Sequence, residues 1–282
     1  MTYKMSGGHI GHTPTTGGGN GDAAPGVWQL GRHIYPKTVA TSSIVRNWPL
    51  TEPVVTDPVY STVMLRLPLN SNLTDQSNSA VSADDQSVGK TFVTGKFSNA
   101  LNVAQGYINY PTGTYVPNTG SNGTASTHTA TLEFWLKSTN STYGSSDKLL
   151  LDLGTTGSTN QSIVGNGNEI RYRFGSSTSS SVHAFHTYTQ NTWHHYLIQW
   201  HHILSFSSTS HFWQWELFVD GNASNQQDAN LQEVPNKFSI GAGSGVTSSF
   251  YLDDVRITSG NTRIGGAVPS TYTVPTAEYP TS

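Results

Sequence analysis

The sequence predicts an all-β protein, an antiparallel β-sandwich or jelly roll, preceded by an extended N-terminal arm. Three observations point there. Short apolar runs alternate with period two, and no long window shows a convincing 3.6-residue period. Gly, Asn, Asp and Ser punctuate nearly every gap between those runs. The strand-bearing stretch of about 220 residues suits one sandwich domain.

Residues 1–58 form the predicted arm. The segment opens on Gly, Thr, His, Pro and Asn, with a Gly17-Gly18-Gly19 run, and offers almost nothing to bury. Trp28, Leu30, Tyr35 and Trp48 stand as isolated apolar anchors between breakers. Such anchors cannot build a core of their own, so they are expected to dock on their own domain or on a neighbouring chain. Residues 59–265 are the predicted sandwich domain and 266–282 a C-terminal tail.

Within the domain, Val63–Leu67 opens the strand series. Thr131–Lys137 alternates cleanly, with Leu132, Phe134 and Leu136 on one face and Glu133, Trp135 and Lys137 on the other, the mark of a half-buried strand. Further strands are predicted at 148–153, 169–174, 182–187, 193–202, 212–219, 237–240 and 249–258. Asp220-Gly221 after Val219 is a strong turn signal.

Composition excludes several classes. Of the 282 residues, 34% are hydrophobic and 11% charged, against ~25% charged in ordinary globular chains. Fourteen Lys and Arg against seventeen Asp and Glu leave a net charge of −3, which argues against a nucleic-acid partner, because phosphate neutralisation needs clustered cations. No run approaches the ~20 apolar residues of a membrane-spanning helix, so no membrane insertion is expected. With no Cys, disulfides and Cys-ligated metals are impossible. Residues 1–16 hold no apolar h-region, so no cleaved secretory signal is expected.

A family resemblance rests on six pieces in order: Gly95–Leu101 followed by Tyr107–Pro111; Leu132–Lys137; Asn191–His195; Glu216–Asn222; Phe238–Gly241; and Tyr251–Ile257. Their order and spacing resemble the concanavalin A-like, or laminin G-like, jelly roll over roughly residues 60–265. The variant with Leu252-Asp253-Asp254-Val255-Arg256-Ile257-Thr258-Ser259-Gly260 most resembles copies in tailed-bacteriophage virion proteins, and Ala24–Leu30 resembles a short motif in phage tail and other structural proteins. The resemblance implies a virion protein made in the host cytoplasm and displayed on the particle surface, a homo-oligomer whose partners are other capsid or tail proteins. It also implies an alternative: an adhesion lectin whose partner is a host cell-surface glycan.

The residues argue against catalysis. Glycoside cleavage needs two carboxyls ~5–10 Å apart, which alternate positions on one strand would supply. None of the six Glu has another acid two residues away. Of the eleven His, His194-His195 and His201-His202 bracket one strand too far apart for a shared metal, so a site would need His183 or His186 from a neighbouring strand. Asp253 and Asp254, adjacent in a strand, are expected to point to opposite faces, with Asp254 pairing with Arg256. No cofactor is called for. Calcium at the sandwich rim is the one metal reading left open, with Asp152 and Asp220 at strand ends as candidate ligands and no Asp-rich loop of EF-hand spacing. Four of the seven Trp fall at positions 193–215, where Trp213, Trp215, Leu217 and Val219 form an apolar face expected in the core. A sugar site is expected on loops 138–147, 155–168 or 222–235.

Overall fold

The computed structural model describes residues 60–111, 129–156, 159–176, 181–203, 212–229, 237–241, 249–259 and 271–280. The anchors Trp28, Leu30, Tyr35 and Trp48 lie outside the described residues. After a 3-10 turn at Tyr60–Thr62, the strands are β1 (Val63–Leu67), β2 (Asp84–Asp85), β3 (Thr91–Thr94), β4 (Asn99–Asn102) and β5 (Tyr107–Tyr110). Then come β6 (Thr129–Ser138), β7 (Lys148–Thr156), β8 (Thr159–Asn166), β9 (Glu169–Ser176) and β10 (Ser181–Thr187). The series closes with β11 (Trp193–Ile203), β12 (Phe212–Val219), β13 (Asn222–Ala229), β14 (Phe238–Gly241) and β15 (Phe250–Ser259).

Two antiparallel sheets face each other, as the sequence predicts. The first runs β13-β12-β11-β6-β15-β4-β3, with β1 lying beside the second half of β15; the second runs β10-β9-β8-β7-β14-β5-β2. The inner faces carry the alternating apolar sets. Phe134 lies opposite Tyr196 in the β6–β11 ladder, their rings stacked with centroids 5.4 Å apart. Trp215, Leu217 and Val219 of β12 join the core. Tyr172 from the second sheet meets Trp215 edge-on at 4.9 Å and its hydroxyl accepts from the Trp200 indole N–H at 3.2 Å. Full burial of such large rings contributes several kcal/mol each, at roughly 25 cal/mol per Å² of apolar area, so this seam clamps the two sheets together.

Strands β8 and β13 escape a sequence reading. Both are made mostly of Asn, Gln, Ser, Thr and Gly, and neither alternates apolar with polar. They form because each is a ladder partner of a stronger strand: β8 pairs along its whole length with β9, and β13 with β12. Much of the predicted loops 155–168 and 222–235 is therefore sheet.

The outer face of the first sheet departs from expectation as well. Strand β6 was expected to be half-buried, yet Glu133 is 0% and Trp135 4% exposed. The cause is tertiary. Residues 271–280, within the segment expected to be a tail, return across this face: Tyr272 packs edge-on against Phe218 at 5.6 Å, and Tyr279 donates its hydroxyl to Glu133. From the other side, Phe97 meets Trp135 edge-on at 5.9 Å.

The β12–β13 turn anchors this return. Asp220 (φ 48°) and Gly221 (φ 86°) both take left-handed backbone, as a tight hairpin with the strand twist requires. The Gly221 carbonyl accepts from Tyr272 N at 2.9 Å, and a Cβ on Gly221 would stand 2.8 Å from the Tyr272 carbonyl oxygen. Gly221→Ala is expected to cost about 1–3 kcal/mol, from the left-handed backbone and the clash together. A chemical-denaturation midpoint checks it; an unchanged midpoint would show that the return segment is not seated on this turn.

Candidate binding site

The outer face of the first sheet carries a row of side chains set in register across adjacent strands. Trp193 of β11 lies opposite Lys137 of β6, Lys137 opposite Tyr251 of β15, Tyr251 opposite Asn102 of β4, and Asn102 opposite Thr91 of β3. Trp193, Lys137, Tyr251 and Asn102 are half-buried and Thr91 is exposed. The Lys137 ammonium sits 5.0 Å from the Trp193 ring centroid and 4.7 Å from that of Tyr251. One step along β6, the Lys96 ammonium lies 4.2 Å over the Trp135 ring. Asn102 closes the row by donating to Thr91 Oγ1 at 3.3 Å. Partly exposed aromatic faces flanked by amide and hydroxyl groups are surfaces on which sugar rings stack while their hydroxyls find partners.

Beside the row the same face is buried and charged. Arg66, Glu133, Asp253, Asp254 and Arg256 are each at most 2% exposed. The return segment serves this cluster. Arg66 donates to the Tyr279 carbonyl, the Arg256 guanidinium lies 4.6 Å from the Tyr279 ring, and His195 Nδ1 meets the Tyr272 hydroxyl. Asp253 Oδ2 accepts from the Lys96 amide at 2.7 Å and the Phe97 amide at 3.3 Å, which ties the loop beneath Lys96 to β15. Gly95 permits that approach: a Cβ there would meet Asp253 Oδ2 at 2.5 Å.

The two aspartates correct the sequence reading. Asp253 pairs with Trp135 and Arg256 with Glu133, so two residues of β15, Asp254 and Val255, stand against one of β6. This β-bulge, with Asp254 at φ 46°, breaks the alternation. Val255 enters the core, Arg256 moves to the Glu133 face, and the two carboxyls act on each other and on Glu278 rather than facing opposite ways. Burial pushes Asp253 up to about 6, against the pull of the Lys96 and Phe97 amides. Burial also pushes Asp254 up to about 7, with Arg66 opposing and Asp253 reinforcing the shift.

The metal candidates are engaged separately. Asp152 accepts from Lys237 Nζ at 2.8 Å and from the Gly154 amide at 2.9 Å. Asp220 accepts from His194 Nδ1 at 2.6 Å and from the His195 amide at 2.8 Å. The fold does bring His186 of β10 to His194, rings 4.7 Å apart, as a shared site would require. However, His186 Nδ1 is bonded to the Tyr196 hydroxyl at 3.0 Å, and burial followed by the neighbouring His194 lowers its pKa to about 4. Among the described residues no group of three His, Asp or Glu is arranged to hold a metal ion. His183 and His202 lie in described strands, but the site reading rests on neither. The aromatic row itself was missed in sequence. Its one legible signal is Lys137, set outward with Glu133 and Trp135 by the alternation of β6.

No protein-family model matches the chain, and no curated protein matches it. Solved structures do. The chain is similar to the binding domain of Paraclostridial Mosquitocidal Protein 1, with a TM-score of 0.51 and 13% identity over 71% of this chain and 49% of that one. It is also similar to domain 4 of AbnA, a GH43 extracellular arabinanase from Geobacillus stearothermophilus solved with arabinotriose, with a TM-score of 0.48 and 14% identity over 71% and 93%. A third is the botulinum neurotoxin serotype D binding domain, with a TM-score of 0.48 and 12% identity over 71% and 48%. The chain spans about half the length of the two toxin binding domains. The likeness to the mosquitocidal domain is one of fold, and the class it defines is the two-sheet antiparallel β-sandwich.

The raised Asp254 carboxyl gives a measurable sign. The fold retains a proton that the unfolded chain has released between about pH 4 and pH 7, so this group lowers stability as pH rises through that window and adds no further change above it. Asn tolerates the left-handed backbone at this position. Relative to wild type, Asp254→Asn is therefore expected to gain in unfolding midpoint on going from about pH 5 to pH 8. A difference that stays constant across this range would refute the buried titration.

Proposed function

We propose that the protein is a non-catalytic, lectin-like binding protein that recognises glycan on the outer face of its first sheet. The observation that carries this reading is the in-register row Trp193, Lys137, Tyr251 and Asn102, half-buried and set across four neighbouring strands at one end of the sheet. Sites built on strands hold their groups more accurately than loops do. The fold shared with a toxin binding domain supports a binding role. The non-catalytic part is supported by the engagement of the acids nearest the row, since Glu133 takes the Tyr279 hydroxyl and Asp253 the loop amides. The test is a broad glycan panel probed with the full chain, with and without calcium. Binding is expected without calcium, and Trp193→Ala and Tyr251→Ala are each expected to weaken it about tenfold with the unfolding midpoint preserved. A flat panel under both conditions would overturn the reading.

A second element of the proposal is the setting. We read the protein as a component of a bacteriophage particle, on head or tail, attached through residues 1–58, displaying the sandwich outward and assembled as a homo-oligomer. Its support is the sequence: isolated anchors at Trp28, Leu30, Tyr35 and Trp48 in a segment that cannot build its own core, and the resemblance of 252–260 and 24–30 to phage virion proteins. Deleting residues 1–50 is expected to abolish incorporation into particles without lowering the unfolding midpoint of the sandwich. Normal incorporation of the truncated chain would refute the attachment role.

A further inference from the structure

We infer that the glycan taken by this row is anionic, its carboxylate or sulfate held by Lys137 between the Trp193 and Tyr251 rings; the inference rests on the glycan-binding reading above. Lys137 makes no ion pair among the described residues, and its polar neighbours are two ring faces. Lys96, over Trp135 one step along the same strand, likewise has no carboxylate partner there. Two ammonium groups with ring partners and no carboxylate partner among the described residues stand on one face of a chain of net charge −3 with only 14 Lys and Arg.

The two acids of β6 and β15 nearest them are spent within the protein. Asp253 is fully buried and spends Oδ2 on the Lys96 and Phe97 amides, while Glu133 lies beneath Tyr279. Neither of these carboxylates pairs with Lys137 or Lys96, which leaves both ammonium groups available to an anion brought by a ligand.

Geometry fits the same guest. Trp193 and Tyr251 sit on strands two spacings apart, about 9.6 Å, a span that a short oligosaccharide bridges, and Lys137 lies at its middle. A sugar ring set against the exposed part of either aromatic residue brings a ring substituent toward the ammonium between them. A neutral sugar would need the rings alone and would leave a strongly hydrated ammonium in the centre of its platform. A charged substituent instead forms the stronger, charge-assisted hydrogen bond with it. Beyond Tyr251, the Asn102 amide and the Thr91 hydroxyl are placed to meet ring hydroxyls.

The experiment uses the full chain and three soluble polysaccharide probes: polygalacturonate for the carboxylate, dextran sulfate for the sulfate and unmodified dextran as the neutral arm. At low salt, at least one anionic probe is expected to bind at least about tenfold more tightly than dextran, with the preference eroding as salt is raised. Lys137→Gln is expected to remove about tenfold of that affinity and Lys137→Arg to retain it. Whichever anionic probe binds identifies the charged group. Anionic binding that survives both Lys137→Gln and Trp193→Ala would place the charge effect elsewhere and overturn the inference. Equal binding of neutral and anionic probes, unchanged by Lys137→Gln, would overturn it while leaving the glycan-binding reading intact. No glycan binding on this set or on the broad panel would remove both.

Discussion

The structure depends on one contact, the seating of Tyr279 on the outer face of the first sheet. Glu133 is fully buried on a central strand, and a carboxyl so placed is costly unless it is hydrogen-bonded. Tyr279 donates its hydroxyl to that carboxyl, gives its carbonyl to Arg66 and its ring to Arg256. Three charged side chains from three adjacent strands thus share one residue of a segment far along the chain. Tyr272, held by the Asp220-Gly221 turn, extends the same cover over His195 and Phe218. Without the return segment this face would be an exposed charged sheet, and β6 the half-buried strand that its alternation describes.

That cover also divides the outer face in two. The return segment shields the part of the outer face around Glu133 and His195, and the 95–98 loop shields Trp135. Outside that cover lies the end of the sheet where the half-buried Trp193, Lys137 and Tyr251 stand side by side. The bulge at Asp254 belongs to the same design. By adding one residue to β15 it turns Arg256 toward Glu133 while leaving Tyr251 and Asp253 in step with Lys137 and Trp135. Buried charge stabilised from above and an aromatic row left accessible beside it are two results of a single β15 backbone path.

Much of the fold was legible in residues. The alternation of Leu132, Phe134 and Leu136, the apolar face of Trp215, Leu217 and Val219, and the Asp220-Gly221 turn all stand where the sequence puts them. Strands β8 and β13 were not legible, because their pairing comes from neighbours and not from their own apolar pattern. The pairing of Asp254 with Arg256 was misjudged for a similar reason. A bulge is an insertion in one strand relative to another, and a single strand read alone carries no trace of it.

The sequence by itself determined the class of fold, the inward apolar set and the poverty of charge, since these follow from local periodicity and composition. Only the tertiary structure decided which charges are buried and which are not. Lys137 meets Trp193 and Tyr251 through ladders between strands remote in the chain, and Glu133 meets Tyr279 through a segment that crosses back from the C-terminal side. Cross-strand register and coverage are non-local, so a lysine that reads as one more solvated outward residue becomes, in the folded sheet, a cation set between two aromatic rings.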